Sequence, residues 1–525
     1  MISKNAKKVI VIGGGLAGLS SAVELARTDC EVTLVERNDH LGGKMNILKV
    51  DGFTFDMGPT IITMPTVFKG IVERSGRKME DYCELIDLDP QWRCFYEDGT
   101  RIDLFKDVEL MSKALEAQFP GTGTGSGYVD FVAFSRRMFR LSERVFFYRD
   151  VGSVRDVMKA VPMSDFGMLR DVFAMRFHST VGGTVKKHIP DPHMRQLVEH
   201  FLQYVGSSPF MAPAILSLIA AAQVDQGCWY PMGGTRNIAG TLEKILREMD
   251  VDIRTGNGVA RLVSSGDRVT GVVLDDGTEL EADIVISNCD VQRTYRDLDG
   301  SPAAMKEQKA ISERYEPACS GVVLYLGLDR QYDHLLHHDF IFSRDPEEEF
   351  ADIYGRGVPA KDPSLYLAVP SRTDPGQAPE GCESLYILVH TPWKRDDQIW
   401  EGPGGLLESY RNTIIEKLKT AGGMPDIEDH IVVERALTPQ SIEAMYNAEG
   451  GAIYGLASHG RLNGGFKPKN KSKVYSNLYL TGGSTNPGPG VPMVLMSGVS
   501  AARAARMDHG IHDDAIDPVE ALAAK

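Results

Sequence analysis

Apolar residues in this chain collect into short β-branched runs set against glycine, and three such runs organise it. The first, Lys8 to Ile12, leads into Gly13-Gly14-Gly15-Leu16-Ala17-Gly18 and a helical pattern through Thr28. A second strand, Glu31 to Glu36, closes a βαβ unit. Further on, Val251 to Ile286 reads as strands around an Asp276-Gly277 hairpin turn, ending in the run Ala282 to Ile286. Asn477 to Thr481 is one more strand, entering Gly482-Gly483, with a helix predicted from Val494 to Met507.

Two long insertions separate these pieces, and 525 residues exceed one ordinary core. The pattern predicts an α/β protein whose Rossmann-type domain is assembled from residues 1–80, 225–295 and 469–510. Residues 81–224, rich in Met, Phe and Arg, read as a helical insertion in contact with substrate and membrane. Residues 296–468 mix strands and helices as an α+β substrate-binding domain, and 511–525 read as a disordered tail.

Composition and charge remove several function classes. A net charge of −15 excludes nucleic acid as a partner, because phosphate binding needs a basic footprint. Seven scattered cysteines without a CxxC point to buried thiols in a reducing compartment, not to disulfides or a metal site. The longest apolar stretch, Ala214 to Ala222, is about half what a membrane-spanning helix needs. With no leader before Lys8, the expected location is the cytoplasm.

Glycine spacing carries the chemistry. Gly13 permits a tight turn, Gly15 lets backbone approach a pyrophosphate, and Gly18 lets helix pack on strand. The phosphates would sit at the helix N-terminus, where free N–H groups favour negative charge. Glu36, ending the second strand, is placed for a ribose. Arg37, Gly42-Gly43-Lys44 and Gly58-Pro59-Thr60 extend the unit beyond what NAD requires, so the cofactor expected is FAD. Val259, in the middle segment, and the downstream loop Gly482-Gly483 to Pro492-Met493 complete the candidate cofactor-binding set. Only one complete fingerprint is present, so no nicotinamide partner is expected.

These motifs, with Trp229 to Thr235 and Tyr479 to Gly488, resemble the carotenoid desaturases over nearly the whole chain. These are phytoene and diapophytoene desaturase relatives, flavoproteins of the amine-oxidase-like superfamily. The resemblance implies FAD as oxidant and double-bond introduction into a long acyclic isoprenoid drawn from the bilayer. It also implies a membrane-dipping helical lid, peripheral attachment to the inner membrane face, and oxygen or a quinone as final acceptor. Thr60, Pro59, Asn486, Pro492 and Met493 should then line the flavin ring, with Asn486 and Thr60 the catalytic candidates and neither an acid nor a base. Asn486 stands where the family carries His, and close relatives also hydroxylate, isomerise or oxidise carotenoid ends. An amine oxidase and a non-catalytic prenyl-binding escort are the alternatives; escorts lack an intact phosphate loop.

Other features read as ordinary structure. Gly121 to Gly127 lacks the Lys-Ser/Thr ending of a phosphate loop and reads as a connection. His334, His337 and His338 read as a solvated loop, His193 and His200 as helix surface or core. From Arg136 to Lys187 the chain holds 11 Lys or Arg against 5 Asp or Glu. Interleaved with Met and Phe, this stretch is the candidate membrane-contacting surface.

Overall fold

The computed structural model describes residues 6–153, 155–157, 179–460 and 465–523. Strand β1 (Lys7–Ile12), helix α1 (Leu16–Ala26) and strand β2 (Cys30–Val35) form the N-terminal βαβ unit. Ile284–Ser287 and then Leu478–Leu480 extend the sheet beyond β1, and Asp252–Arg254 extends it beyond β2. Every pairing is parallel, so one five-stranded sheet takes strands from the start, middle and end of the chain.

A parallel sheet must be covered on both faces, and the period of two along β1 divides the work. Val9 and Val11 face α1 and the helices Arg236–Glu248 and Val491–His509. Ile10 and Ile12 face the other way, onto Val272 and Leu274 of a small antiparallel sheet. That sheet turns at Gly277, whose φ of +86° suits the Asp-Gly hairpin. The Rossmann-type fold expected from the sequence is therefore present.

A second sheet of seven strands runs in the order Ile431–Leu437, Ser320–Leu328, Glu383–Thr391, Leu365–Ala368, His338–Ile341, Trp92–Phe95, Arg101–Leu104. Its last two strands come from the first insertion, which is therefore not simply helical. Trp92–Phe95 pairs parallel to His338–Ile341 and buries Trp92 and Cys94 in the core. The Gly121–Gly127 stretch is likewise partly helical, since a helix runs from Thr124 to Val145.

The tail is also more ordered than its composition suggests. The C-terminal helix continues to His509, and a short helix covers Pro518–Ala523. Asp513 pairs with Arg27 and Arg506, and Asp517 with Arg503 at 2.6 Å, which ties this segment to α1 and its neighbour. Along the basic stretch, Met138, Phe147 and Tyr148 are core residues rather than exposed anchors, and Arg136 is paired with Asp225. Met158, Met163, Phe166, Met168, Phe173, Met175 and Phe177 lie outside the described residues. Among the described residues no helix is long and apolar enough to cross a membrane.

Helix α1 and the C-terminal helix approach each other closely. A Cβ at Gly498 would stand 2.0 Å from Ser20 Oγ and 2.2 Å from the Ala17 carbonyl. Gly498→Val must push two helices apart, an overpacking that costs at least about 1–3 kcal/mol. The expected outcome is a clearly lowered melting temperature, read by circular dichroism; unchanged melting would show that the helices separate freely.

Candidate active site

The N-terminus of α1 is bare. Its N-cap is Gly15, no side chain caps it and no acid sits in its first turn. Gly15, Leu16 and Ala17 instead face a cavity of about 740 Å³, within the ~300–1,000 Å³ of ligand clefts. Unpaired N–H groups aimed into a cavity of that size are what a pyrophosphate needs.

The cavity gathers most of the residues expected from the sequence. Gly13, Glu36, Arg37 and Val259 line it together with Gly15. Gly42, Gly43, Lys44, Gly58 and Pro59 line it as well, as do Gly482 and Gly483. Gly18 lies behind the loop, where a Cβ would fall 2.0 Å from the Gly13 carbonyl, so its part is packing. Gly42 N–H donates to Gly14 O at 2.8 Å, which joins the second glycine pair to the first loop.

Glu36 is buried at 5% exposure and already accepts from Gly14 N–H at 2.7 Å and Asn38 N–H at 2.8 Å. Those bonds fix its carboxylate at the wall, with acceptor capacity left for ribose hydroxyls. Lys44 donates to the carbonyls of Ala452 (2.7 Å) and Ile453 (3.2 Å), strapping a segment of the second domain across the cavity. Burial pulls its ammonium down to about 8, against the attraction of Asp290. The residues present fit FAD: N–H groups at the helix start for phosphate and a fixed carboxylate for ribose, on a wall where Gly43 packs against Gly15 and Gly58 against the Lys44 carbonyl.

A second cavity adjoins the first, sharing Gly58, Pro59, Tyr386, Leu388, Tyr454 and Val491. Thr60, Pro492 and Met493 line this chamber alone. Much of the remainder is aliphatic and aromatic, including Phe146, Phe147, Ile215, Leu218, Ile219 and Phe340. No Asp, Glu, Lys or Arg is among the described residues of its wall. Its two histidines are neutral, because burial pushes His200 down to about 3 and His390 to about 4.

Asn486 lines neither cavity. It is buried, its N–H donates to Pro468 O at 2.9 Å, and its carbonyl accepts from Asn470 Nδ2 at 2.9 Å and Ser497 Oγ at 2.8 Å. Its side-chain amide donates to the Arg149 carbonyl. Where the sequence resemblance put Asn486 on the flavin ring, the structure places it behind the cavity walls, bracketing the loop whose next residues, Pro487, Pro489 and Gly490, line the chamber. His337 and His338 are corrected too, being 7% and 1% exposed instead of solvated. His334, beside them, donates from Nε2 to the Gly422 carbonyl at 2.9 Å.

Sequence reasoning passed over Tyr366, Tyr386, Leu388 and His390 of the second domain. The only available signal was alternation, which puts Tyr386, Leu388 and His390 on the chamber face of one strand while Leu385, Ile387 and Val389 face a separate core.

A side chain at Gly15 would begin 2.7 Å from Asn288 Nδ2 and project into the phosphate end of the cavity. Gly15→Val should purify without visible flavin absorbance while keeping its far-ultraviolet circular dichroism. Normal FAD content in that variant would overturn the placement.

The comparisons with known proteins agree with this geometry. Residues 16–506 match the family described as flavin containing amine oxidoreductase. The chain is 39% identical to the 4,4'-diapolycopene oxygenase of Methylomonas sp, over 95% of this chain and 98% of that protein. It is 37% identical to the 4,4'-diaponeurosporene oxygenase of Staphylococcus haemolyticus, over 94% and 96%. Among solved structures, an oxidoreductase from Methanosarcina mazei aligns with a TM-score of 0.61 at 18% identity, covering 94% of this chain and 100% of that one. Putrescine oxidase bound to putrescine aligns at 0.62 and 15% identity, covering 95% and 98%, a likeness of fold alone. The cofactor is FAD, and the chain belongs to the flavin containing amine oxidoreductase family, in its carotenoid-desaturase-like branch.

Proposed function

We propose that the protein is an FAD-dependent oxygenase of long acyclic carotenoid hydrocarbons of the diapo type. The observation that carries this reading is the uncharged chamber that meets the cofactor cavity at Gly58 and Pro59. An ammonium entering it would lose its hydration and find no counter-charge, a penalty on the order of several kcal/mol. An apolar polyene loses nothing comparable and gains about 25 cal/mol for each Å² removed from water. That contrast argues against a small amine as substrate, despite the shared fold.

Bound in the adjoining cavity, FAD supplies hydride acceptance and reaction with dioxygen. The protein's share is to hold the polyene end beside Pro59 and to keep water out, which the packed aromatic wall supports. The oxygenase names of relatives at 37–39% identity favour oxygen insertion over the double-bond introduction that the sequence resemblance implies. Dioxygen then serves as co-substrate: oxidation of a terminal methyl to an aldehyde balances as RCH3 + O2 → RCHO + H2O, with the substrate's own C–H bonds supplying the electrons, so no nicotinamide is required.

Such a substrate is practically insoluble, so it has to arrive from lipid, and the protein acts at a membrane surface. The helix Thr124–Val145 contributes Ser142 to the chamber, is followed there by Phe146 and Phe147, and carries Arg137, Arg140 and Arg144 outside the core. Flotation with anionic vesicles should recover the protein at low salt, and less of it after Arg137, Arg140 and Arg144 are changed to Glu. Equal recovery of both would remove the electrostatic part of this reading.

The reaction itself is decided by isotope. FAD-loaded protein, incubated with an acyclic diapocarotenoid in vesicles under ¹⁸O₂, should yield product carrying the heavy oxygen in its mass spectrum. A product that has lost two hydrogens and carries no label would make the enzyme a desaturase.

A further inference from the structure

One hydroxyl on the chamber wall, that of Thr60 beside the shared Gly58 and Pro59, is held by a chain of neutral groups that reaches away from the chamber. Thr60 Oγ1 lies 2.5 Å from the Tyr366 hydroxyl, which in turn lies 2.9 Å from His338 Nδ1. Thr60 and Tyr366 are on the chamber wall, and His338 stands behind it, 1% exposed. His338 Nε2 has no hydrogen-bond partner among the described residues. The His337 ring packs edge-on against it at 4.5 Å and is itself tied to Thr373 Oγ1 at 2.6 Å.

The proton positions follow from what is left unpaired. Burial and the neighbouring His337 hold His338 well below its ordinary pKa, so the ring is neutral and carries one N–H. If that proton were on Nε2 it would be a buried donor without an acceptor, the rarer and costlier defect. On Nδ1 it donates to Tyr366. Burial keeps the Tyr366 phenol protonated, so its hydrogen passes on to Thr60 Oγ1. The Thr60 hydrogen is then the free end of the chain, next to Pro59.

A hydrocarbon alone cannot receive that hydrogen. Nor can it satisfy three other buried atoms of residues on the chamber wall that have no hydrogen-bond partner among the described residues: Ser142 Oγ, Gln203 Oε1 and His390 Nε2. We propose that Tyr366 and His338 are positioning residues that aim the Thr60 hydroxyl at an oxygen atom on the polyene end. The inference rests on the chamber being the polyene site, and it adds that the site is built for the oxygen-bearing form of that end.

The test uses binding, so it does not depend on which reaction the enzyme performs. FAD-loaded protein is mixed with crocetin dialdehyde, an acyclic polyene with aldehyde ends. Hydrogen-bond donation to a conjugated carbonyl shifts its visible band to the red. Wild type should show that shift. Thr60→Val and Tyr366→Phe should bind the probe without it, with unchanged FAD content. His338→Asn, whose amide puts N–H near the Nδ1 position, should keep most of the shift; His338→Gln, which mimics Nε2, should lose it. Under turnover, Thr60→Val and Tyr366→Phe should lower kcat about ten- to a hundredfold, with KM for the hydrocarbon within about twofold, as expected for one lost hydrogen bond to developing charge. An unbound probe, an unshifted band in wild type, or the same shift in Tyr366→Phe would overturn the proposal. A failed isotope experiment with these shifts intact would instead count against the oxygenase reading alone.

Discussion

Helix α1 has no solvent face. Every residue from Leu16 to Leu25 is buried, between the sheet, the helix Arg236–Glu248 and the helix Val491–His509. A helix can be enclosed on all sides only if its side chains are small or its polar groups are satisfied within it. Ser20 and Ser21 turn their hydroxyls to the carbonyls of Ala17 (3.1 Å) and Gly18 (2.9 Å). Glu24 is the one charge: burial pushes its carboxyl up, but Arg74 and Arg27 outweigh that and hold it ionised. Leaving such a charge unpaired costs about 3–5 kcal/mol, so the pair of arginines is what permits the enclosure. The enclosure in turn fixes the direction of the bare N-terminus, and the cofactor cavity exists because that end cannot move.

From that fixed end the electrostatics change sharply over one shared wall. On the cofactor side stand Glu36, Arg37, Lys44 and Asp290, each bonded or paired. Across Gly58 and Pro59 the chamber wall has no charge among its described residues. A low-dielectric chamber keeps its titratable groups neutral, which is why His200, His390 and Tyr366 all move away from their charged forms. Neutral groups can still orient hydrogens, and in such surroundings a hydrogen bond is stronger than in water. Polarity in the chamber is thus carried by direction of donation rather than by charge.

What was legible in the sequence was local. Gly13, Gly15, Gly18 and Glu36 lie within one βαβ unit, and their spacing is set by the turn, so residue order alone defines their geometry. Long-range pairing was not legible. Trp92–Phe95 finds its partner in His338–Ile341, and nothing near Trp92 announces that strand. The histidines were misplaced for the same reason: His337 and His338 look like a polar loop in one dimension, yet the pairing of His338 with Ala368 carries them into the core. Tyr366 and His338 reach Thr60 only through that sheet, so a chain of three side chains from three separate stretches had no trace in any one of them.

Asn486 shows the limit of motif proximity. The motif placed it one residue from a wall-forming proline, and the loop then turned it inward. Both of its main-chain groups are engaged, with Pro468, Asn470 and Ser497, and its side chain is bonded to the main chain of Arg149. A residue in that setting acts by holding Pro487 to Gly490 in place. The chamber's polar groups come instead from Thr60, from Ser142, His200, Gln203 and Tyr204 of the first insertion, and from Tyr366, Tyr386, His390 and Tyr454 further along the chain. The chemistry that distinguishes this chain from others on the same fold is carried by side chains presented across the wall, on strands that the nucleotide-binding motif does not include.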